Sequence, residues 1–233
     1  MKRLAFTVVA LMVMHAARYV VMAGGAYLFF WRWRGNPLTA KGRTQRRAFE
    51  RADLWREFRW SMLTCVVFGV MFGVAFTGQA PKPLTHSGFA AVLEFFGWLA
   101  VVLIIHDTFF YWSHRLLHHP LLFARVHAVH HRSHTPSPFS ALAFHPLEAM
   151  LQGVWALPLF LLPIPTVVWL AFAVAAITIN VVGHCGVEVV PQRLRASLPW
   201  LNYTTNHDAH HAHVRGNYGL YFSLWDRVMG TRS

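Results

Sequence analysis

Five stretches of the chain are apolar almost without interruption: residues 4–31, 61–78, 88–112, 147–163 and 165–183. Inside a bilayer the backbone finds no water, so it must close its hydrogen bonds within helices or a closed barrel. A helix needs about 20 apolar residues to cross. The first three stretches read as such helices. The fourth and fifth, divided by Pro163-Ile164-Pro165, are each marginal, and a buried hairpin is expected there rather than two independent spans. The first stretch contains His15 and Arg18. It is too long for a cleavable secretory signal and has no clear small-residue cleavage site, so it is expected to span. The expected fold is all-α: a single integral membrane helical bundle over residues 1–233, with about four to five apolar segments and a histidine-rich cap.

Composition agrees with this reading, since 55% of the residues are hydrophobic and only 13% charged. The net charge is +12, which suits nucleic acid or an anionic membrane surface. The apolar segments decide for the membrane, and no nucleic-acid partner is expected. The segment 32–60 concentrates Arg32, Arg34, Lys41, Arg43, Arg46, Arg47, Arg51, Arg56 and Arg59 against Glu50, Asp53 and Glu57. Basic loops stay in the cytoplasm, so this loop is expected there and the loop 79–87 on the opposite side. Counting spans then puts residues 113–146 and 184–233 in the cytoplasm. Cys65 and Cys185 sit in or beside apolar stretches, which argues against a disulfide. Cys185, next to His184, is a conceivable metal thiolate.

Fourteen of the sixteen histidines lie between His106 and His213. "HRLLH" at 114–118 is an i, i+4 pair. "HAVHH" at 127–131 and "HDAHH" at 207–211 each add i+3 and i+4 partners. On a helix these spacings place side chains about one turn apart. One turn is therefore expected to offer two or three imidazoles to one point. Imidazole suits zinc, copper, iron and nickel, and eight such rings are too many for one tetrahedral zinc. Two metal ions with open positions are the better match. All three boxes fall on the face that the arginines assign to the cytoplasm.

These residues also carry a resemblance. "DTFFYWSHRLLHH" from Asp107, followed by "HAVHH" and later "HDAHHAHVRGNYG", resembles the fatty acid hydroxylase/sterol desaturase superfamily. "AFHPLEAM" (143–150), "GHCGVE" (183–188) and the closing "NYG…LWDRVMGT" fit it as well. The resemblance covers residues 95–231, leaving 1–94 as N-terminal apolar helices and a basic loop without a family motif. It implies that His114, His118, His127, His130, His131, His207, His210 and His211 are metal ligands and that His184 is a further one. Glu188 could complete a shell or orient an imidazole. Asp107 and Asp208 could accept the second ring N–H of a ligand histidine. His119, His134, His145 and His213 are expected to be structural or to support the ligands. His106 has no assigned role. His15 and His86 are expected to be unrelated.

The resemblance further implies O2-dependent hydroxylation or desaturation of a lipid C–H bond by two iron ions, with zinc possible on overproduction. No tightly bound organic cofactor is expected. Trp98, Phe109, Phe110, Trp155, Phe160, Trp169 and Phe172 are candidate walls of a lipid tunnel. The chain has no Rossmann glycine fingerprint and no cysteine set for an iron–sulfur cluster. Electrons are thus expected from a separate ferredoxin, cytochrome or reductase, and the 32–60 loop could dock it. A histidine-rich membrane metal transporter or sensor is the alternative from another class.

Overall fold

The computed structural model describes residues 1–33, 36–45 and 49–233. Arg34, Arg46 and Arg47 of the basic loop lie outside the described residues. The chain is an all-α membrane bundle. In order it forms α1 (Lys2–Tyr27), α2 (Pro37–Gly42), α3 (Arg51–Phe76), α4 (Gly88–Leu117), α5 (Pro120–Leu122), α6 (Ala128–His131), α7 (Pro146–Val154), α8 (Thr166–Gly183), α9 (Gln192–Ser197), α10 (Thr204–His213) and α11 (Leu224–Val228). The described residues hold no strand, only two isolated bridges, Arg43 with Val187 and Leu201 with Phe222.

Four helices are long and apolar enough to cross a membrane: Lys2–Arg32, counting the π-helical turn that extends α1, then α3, α4 and α8. They leave large apolar side chains such as Phe6, Val13, Val70, Phe96, Ile104 and Leu170 exposed, as a lipid-facing surface requires. The stretch 147–163 is no full span. Pro158 removes a backbone donor, so the α-helix stops at Val154 and gives way to a 3₁₀ turn at Pro158–Leu161. The expected hairpin thus has one short arm and one long arm.

α1 and α3 run antiparallel in close contact, because two glycines on α3 admit the backbone of α1. A Cβ on Gly69 would lie 2.6 Å from the Met12 Cα, and one on Gly73 2.6 Å from the Val8 Cα. Small residues four apart are a common device for close helix approach in membranes.

The two ends of the bundle differ. At one end, the 77–87 loop is tied down by Lys82. Its backbone N–H donates to Thr166 Oγ1 at 2.9 Å, and its ammonium to the carbonyls of Phe160 and Leu162, both at 2.7 Å. α4 has 30 residues, about 45 Å at 1.5 Å per residue, against a hydrocarbon core of about 30 Å. It is longer than that core is thick, and its last turn, at the opposite end of the bundle, carries His114. Short helices and loops gather there around the end of α4. The first residues of α3 brace them: Glu57 accepts from Ser133 Oγ at 2.6 Å and also from Ser137. Tyr19 and Ser61 both donate to the Phe139 carbonyl, at 2.9 and 2.8 Å.

Candidate metal centre

Nine imidazoles converge at that end in two adjoining groups. His114, His118, His127, His131 and His210 form one, and His130, His184, His207 and His211 the other. Within each group, one nitrogen from each ring lies within 4.8 Å of those of the others. The nine are the nine candidates read from the sequence. Their partition differs from the expectation that each box points at a single place. His127 and His131 join the first group while His130 turns to the second, and His210 joins the first while His207 and His211 face the second. Successive helical residues diverge by about 100°, so neighbours such as His130 and His131 serve different groups.

The ring orientations are set from outside. His114 Nδ1 donates to the Tyr218 carbonyl at 2.9 Å, His210 Nδ1 to the Gly216 carbonyl at 2.7 Å, and His184 Nδ1 to the Asn180 carbonyl at 2.7 Å. His127 Nδ1 donates to Glu148 Oε1 at 2.8 Å. Each bond fixes the proton on Nδ1 and leaves the Nε2 lone pair for the group's interior. The carbonyls of Gly216 and Tyr218 reach back because α10 ends in a left-handed turn, with Val214, Gly216 and Asn217 at φ of 59°, 66° and 52°. Asp226 holds that turn, accepting from the N–H groups of Tyr218 and Gly219 at 2.9 and 2.8 Å.

The donor set fits a metal. Nε2 of His114, His118 and His127 is buried with no hydrogen-bond partner. The Nε2 atoms of His207 and His184 lie 2.9 Å apart, those of His211 and His207 and of His210 and His131 3.2 Å, and those of His184 and His130 3.4 Å. Nitrogens at about 2.1 Å from a shared ion are separated by about 3.0 to 3.4 Å at octahedral to tetrahedral angles. Protonation would oppose such convergence, and burial suppresses it. Burial, then the nearby His114 and His127, drive His118 down to about 2, and burial lowers His184 to about 4. His127, His130, His131, His207, His210 and His211 fall well below the usual histidine value for the same first reason.

The carboxylates do not follow the sequence expectation. Asp107 accepts from the backbone N–H of Tyr221 and Phe222, at 2.7 and 3.2 Å. Asp208 accepts from Thr44 and from Gln45 Nε2, the latter at 2.8 Å. That contact straps the basic loop to α10. Glu188 accepts from the N–H of Thr205 at 3.1 Å, at the start of α10, and among the described residues it hydrogen-bonds no imidazole. The carboxylate that meets a ring of the two groups is Glu148, the one acid in an otherwise apolar stretch inside "AFHPLEAM". Its isolation there was the available signal. Cys185 is buried, donates to the Val187 carbonyl at 3.2 Å and is pushed up to about 12 by burial, so it is a thiol outside both groups. His119, His134 and His213 are exposed, and His145 Nδ1 accepts from the Leu147 N–H at the start of α7.

An apolar cavity of 330 Å³ lies between α1, α3, α4, α7 and α8. Phe110, Trp155, Phe160, Trp169 and Phe172 line it, whereas Trp98 and Phe109 pack behind it. It ends against the histidines: Phe110 lies 5.1 Å from the His114 ring and Phe144 5.1 Å from that of His130. Two histidines set apart from the boxes also line it. His106 bonds the Tyr221 hydroxyl at 2.8 Å and stacks on Trp155. His15, expected to be unrelated, is buried on the α1 wall, whereas His86 is exposed at the opposite end beside Glu94.

Residues 99–231 match the fatty acid hydroxylase family model. The chain is 38% identical to human lathosterol oxidase over 130 residues, 55% of this chain and 42% of the relative. It is 35% identical to the Delta(7)-sterol 5(6)-desaturase of Leptosphaeria maculans over 127 residues, 54% of this chain and 34% of the relative. It is 32% identical to rat methylsterol monooxygenase 1 over 129 residues, covering 55% and 44%. The aligned part spans less than half the length of these curated relatives. No solved structure matches. With more than half of its residues inside the matched region and the histidine groups within it, the chain belongs to the fatty acid hydroxylase family.

Proposed function

We propose that this protein is a membrane-bound di-iron oxygenase that hydroxylates or desaturates a C–H bond of a lipid. The observation that carries this reading is that Phe110 and Phe144, in the wall of an apolar cavity, each pack 5.1 Å from a ring of the two imidazole groups. The nine histidines named above hold the metals through their ring nitrogens. Iron in such a site supplies the redox chemistry that activates O2, and zinc can replace it on overproduction because the donor set is permissive. The relatives are named for sterol oxidation, which favours a lipid substrate.

The protein's own part is to orient and exclude. Glu148 and the carbonyls of Gly216, Tyr218 and Asn180 hold ring tautomers, and Phe110 and Phe144 cover the rings on the cavity side. Aromatic walls keep water from the reacting carbon. The overall balance for hydroxylation is one O2, two electrons and two protons per C–H, giving C–OH and water. Desaturation consumes the same inputs, removes two hydrogens and gives two waters. The electrons come from a separate ferredoxin, cytochrome or reductase, docked by the basic loop 32–60 on the cytoplasmic side.

The test is lipid profiling of cells with and without the protein under 18O2. Hydroxylation leaves 18O in the product, while desaturation leaves a mass loss of two hydrogens without label. His130→Ala and His210→Ala are expected to abolish the product and His86→Ala to leave it. An unchanged lipid profile, or product formation by His130→Ala or His210→Ala, overturns the reading.

A further inference from the structure

The α1 wall of the cavity carries a charge that the protein does not neutralise. Arg18 lies 16 residues from Lys2 and 14 from Arg32 in the span they bound, about 24 and 21 Å along a helix axis. Its side chain is too short to reach either headgroup layer from that depth. A guanidinium stays charged in proteins, so it cannot escape burial by losing a proton.

Its bonding is incomplete. One Nη donates to His15 Nδ1 at 2.9 Å, a neutral acceptor once it takes that bond. Nε is buried and donates to nothing. Among the described residues, the side-chain ion pairs belong to Arg56, Arg195, His86 and His127, and none to Arg18. Glu57, also on the inner side of α3, is committed to Ser133, Ser137 and Arg56. An unpaired charge at membrane depth is costly, and ionisable groups kept there mark a ligand or ion path. Arg18 and His15 both line the cavity, whose other walls are mainly aromatic and aliphatic.

We propose that Arg18, held by His15, binds the anionic oxygen head group of a single-chain lipid whose hydrocarbon lies in the aromatic cavity. A planar guanidinium pairs with carboxylate or phosphate oxygens through parallel N–H donors, and does so most strongly where water is excluded. The counter-ion missing from the protein is then the ligand's own charge. This deepens the oxygenase reading and rests on it only in taking the cavity as the substrate's seat. With the head fixed on α1, the oxidised carbon is counted from the head group.

The test is ligand binding by the purified full-length chain in phosphatidylcholine nanodiscs, with dodecanoate, dodecyl phosphate and methyl dodecanoate as probes. Wild type is expected to bind at least one of the two anions about tenfold or more tighter than the ester, the scale of a charge-assisted hydrogen bond. Whichever anion does so identifies the head group. Arg18→Gln is expected to lose that preference while binding the ester as before and keeping its metal content, and Arg18→Lys to keep part of it. Equal binding of acid, phosphate and ester by wild type overturns the proposal, as does a preference that survives in Arg18→Gln. If Arg18→Gln does not insert, the wild-type comparison and Arg18→Lys decide it. An anion preference without any oxidised lipid would instead count against the oxygenase reading alone.

Discussion

Glu148 Oε1 lies 2.8 Å from His127 Nδ1, and both side chains are only 1% exposed. The contact crosses from α7, inside the apolar bundle, to the second histidine box. It makes α7 the element that sets the tautomer of one ring in the five-histidine group. A carboxylate at Nδ1 raises the basicity of Nε2. Glu148→Ala is therefore expected to weaken metal retention by about 10- to 100-fold. Glu148→Gln, which keeps an acceptor at the same place, is expected to lose less. Chelator competition followed by metal analysis reads both. Equal retention in wild type and Glu148→Ala would show that Glu148 only fills space.

The partition of the boxes gives a sharper expectation. His130 and His211 belong to one group, His118 and His131 to the other. A double substitution within a group, His130→Ala with His211→Ala, is expected to leave about one metal per chain, because the other group is untouched. A double substitution across the groups, His130→Ala with His131→Ala, is expected to weaken both. Metal stoichiometry of folded protein purified without added zinc separates the outcomes. Complete loss of metal in the within-group pair would argue for one fused site.

The same partition shows what the sequence made legible. Box spacing revealed that imidazoles gather, since i, i+3 and i+4 share a helical face. Adjacent histidines diverge by about 100°, so His130 and His131 already implied two destinations. The apolar lengths revealed the spans, because lipid constrains length directly. The acceptors at Nδ1 were hidden. Gly216 and Tyr218 offer backbone carbonyls, positioned by a left-handed turn whose reach is tertiary. The roles of His15 and Arg18 were hidden too, because a helix's neighbours decide whether an intramembrane polar residue faces lipid or a cavity.

The α1–α3 crossing sets the shape of the cavity's wall and can be tested alone. A methyl at Gly69 or Gly73 meets the backbone of Met12 or Val8, which cannot turn aside as a side chain can. Gly69→Ala and Gly73→Ala are each expected to destabilise the protein by about 1–3 kcal/mol. Gly97 on α4 has open space around it, so Gly97→Ala is expected to be neutral or to stabilise by up to about 1 kcal/mol. Thermal unfolding in detergent ranks the three. A Gly97→Ala loss as large as the Gly69→Ala loss would refute the close-contact account.

Metal-free protein is expected to lose stability as pH falls below about 6.5, the ordinary histidine value. Eight rings beyond the spans are held below it, chiefly by burial, among them His184 at about 4 and His118 at about 2. The unfolded chain binds protons on these rings at a pH where the folded chain does not, so acid favours unfolding. The loss begins below 6.5 and continues through about 4 for His184 and toward about 2 for His118. Asp208, raised to about 6 by burial, acts in the opposite sense, since the folded chain takes up its proton first. Glu148, raised well above the usual carboxylate range by burial, acts in the same sense as Asp208. They are two groups against eight, so the net sign is a loss. Melting temperatures of chelated protein between pH 8 and pH 5 measure it. A flat profile would mean that the rings are solvated in the metal-free state, and that the buried cluster forms only when metal binds.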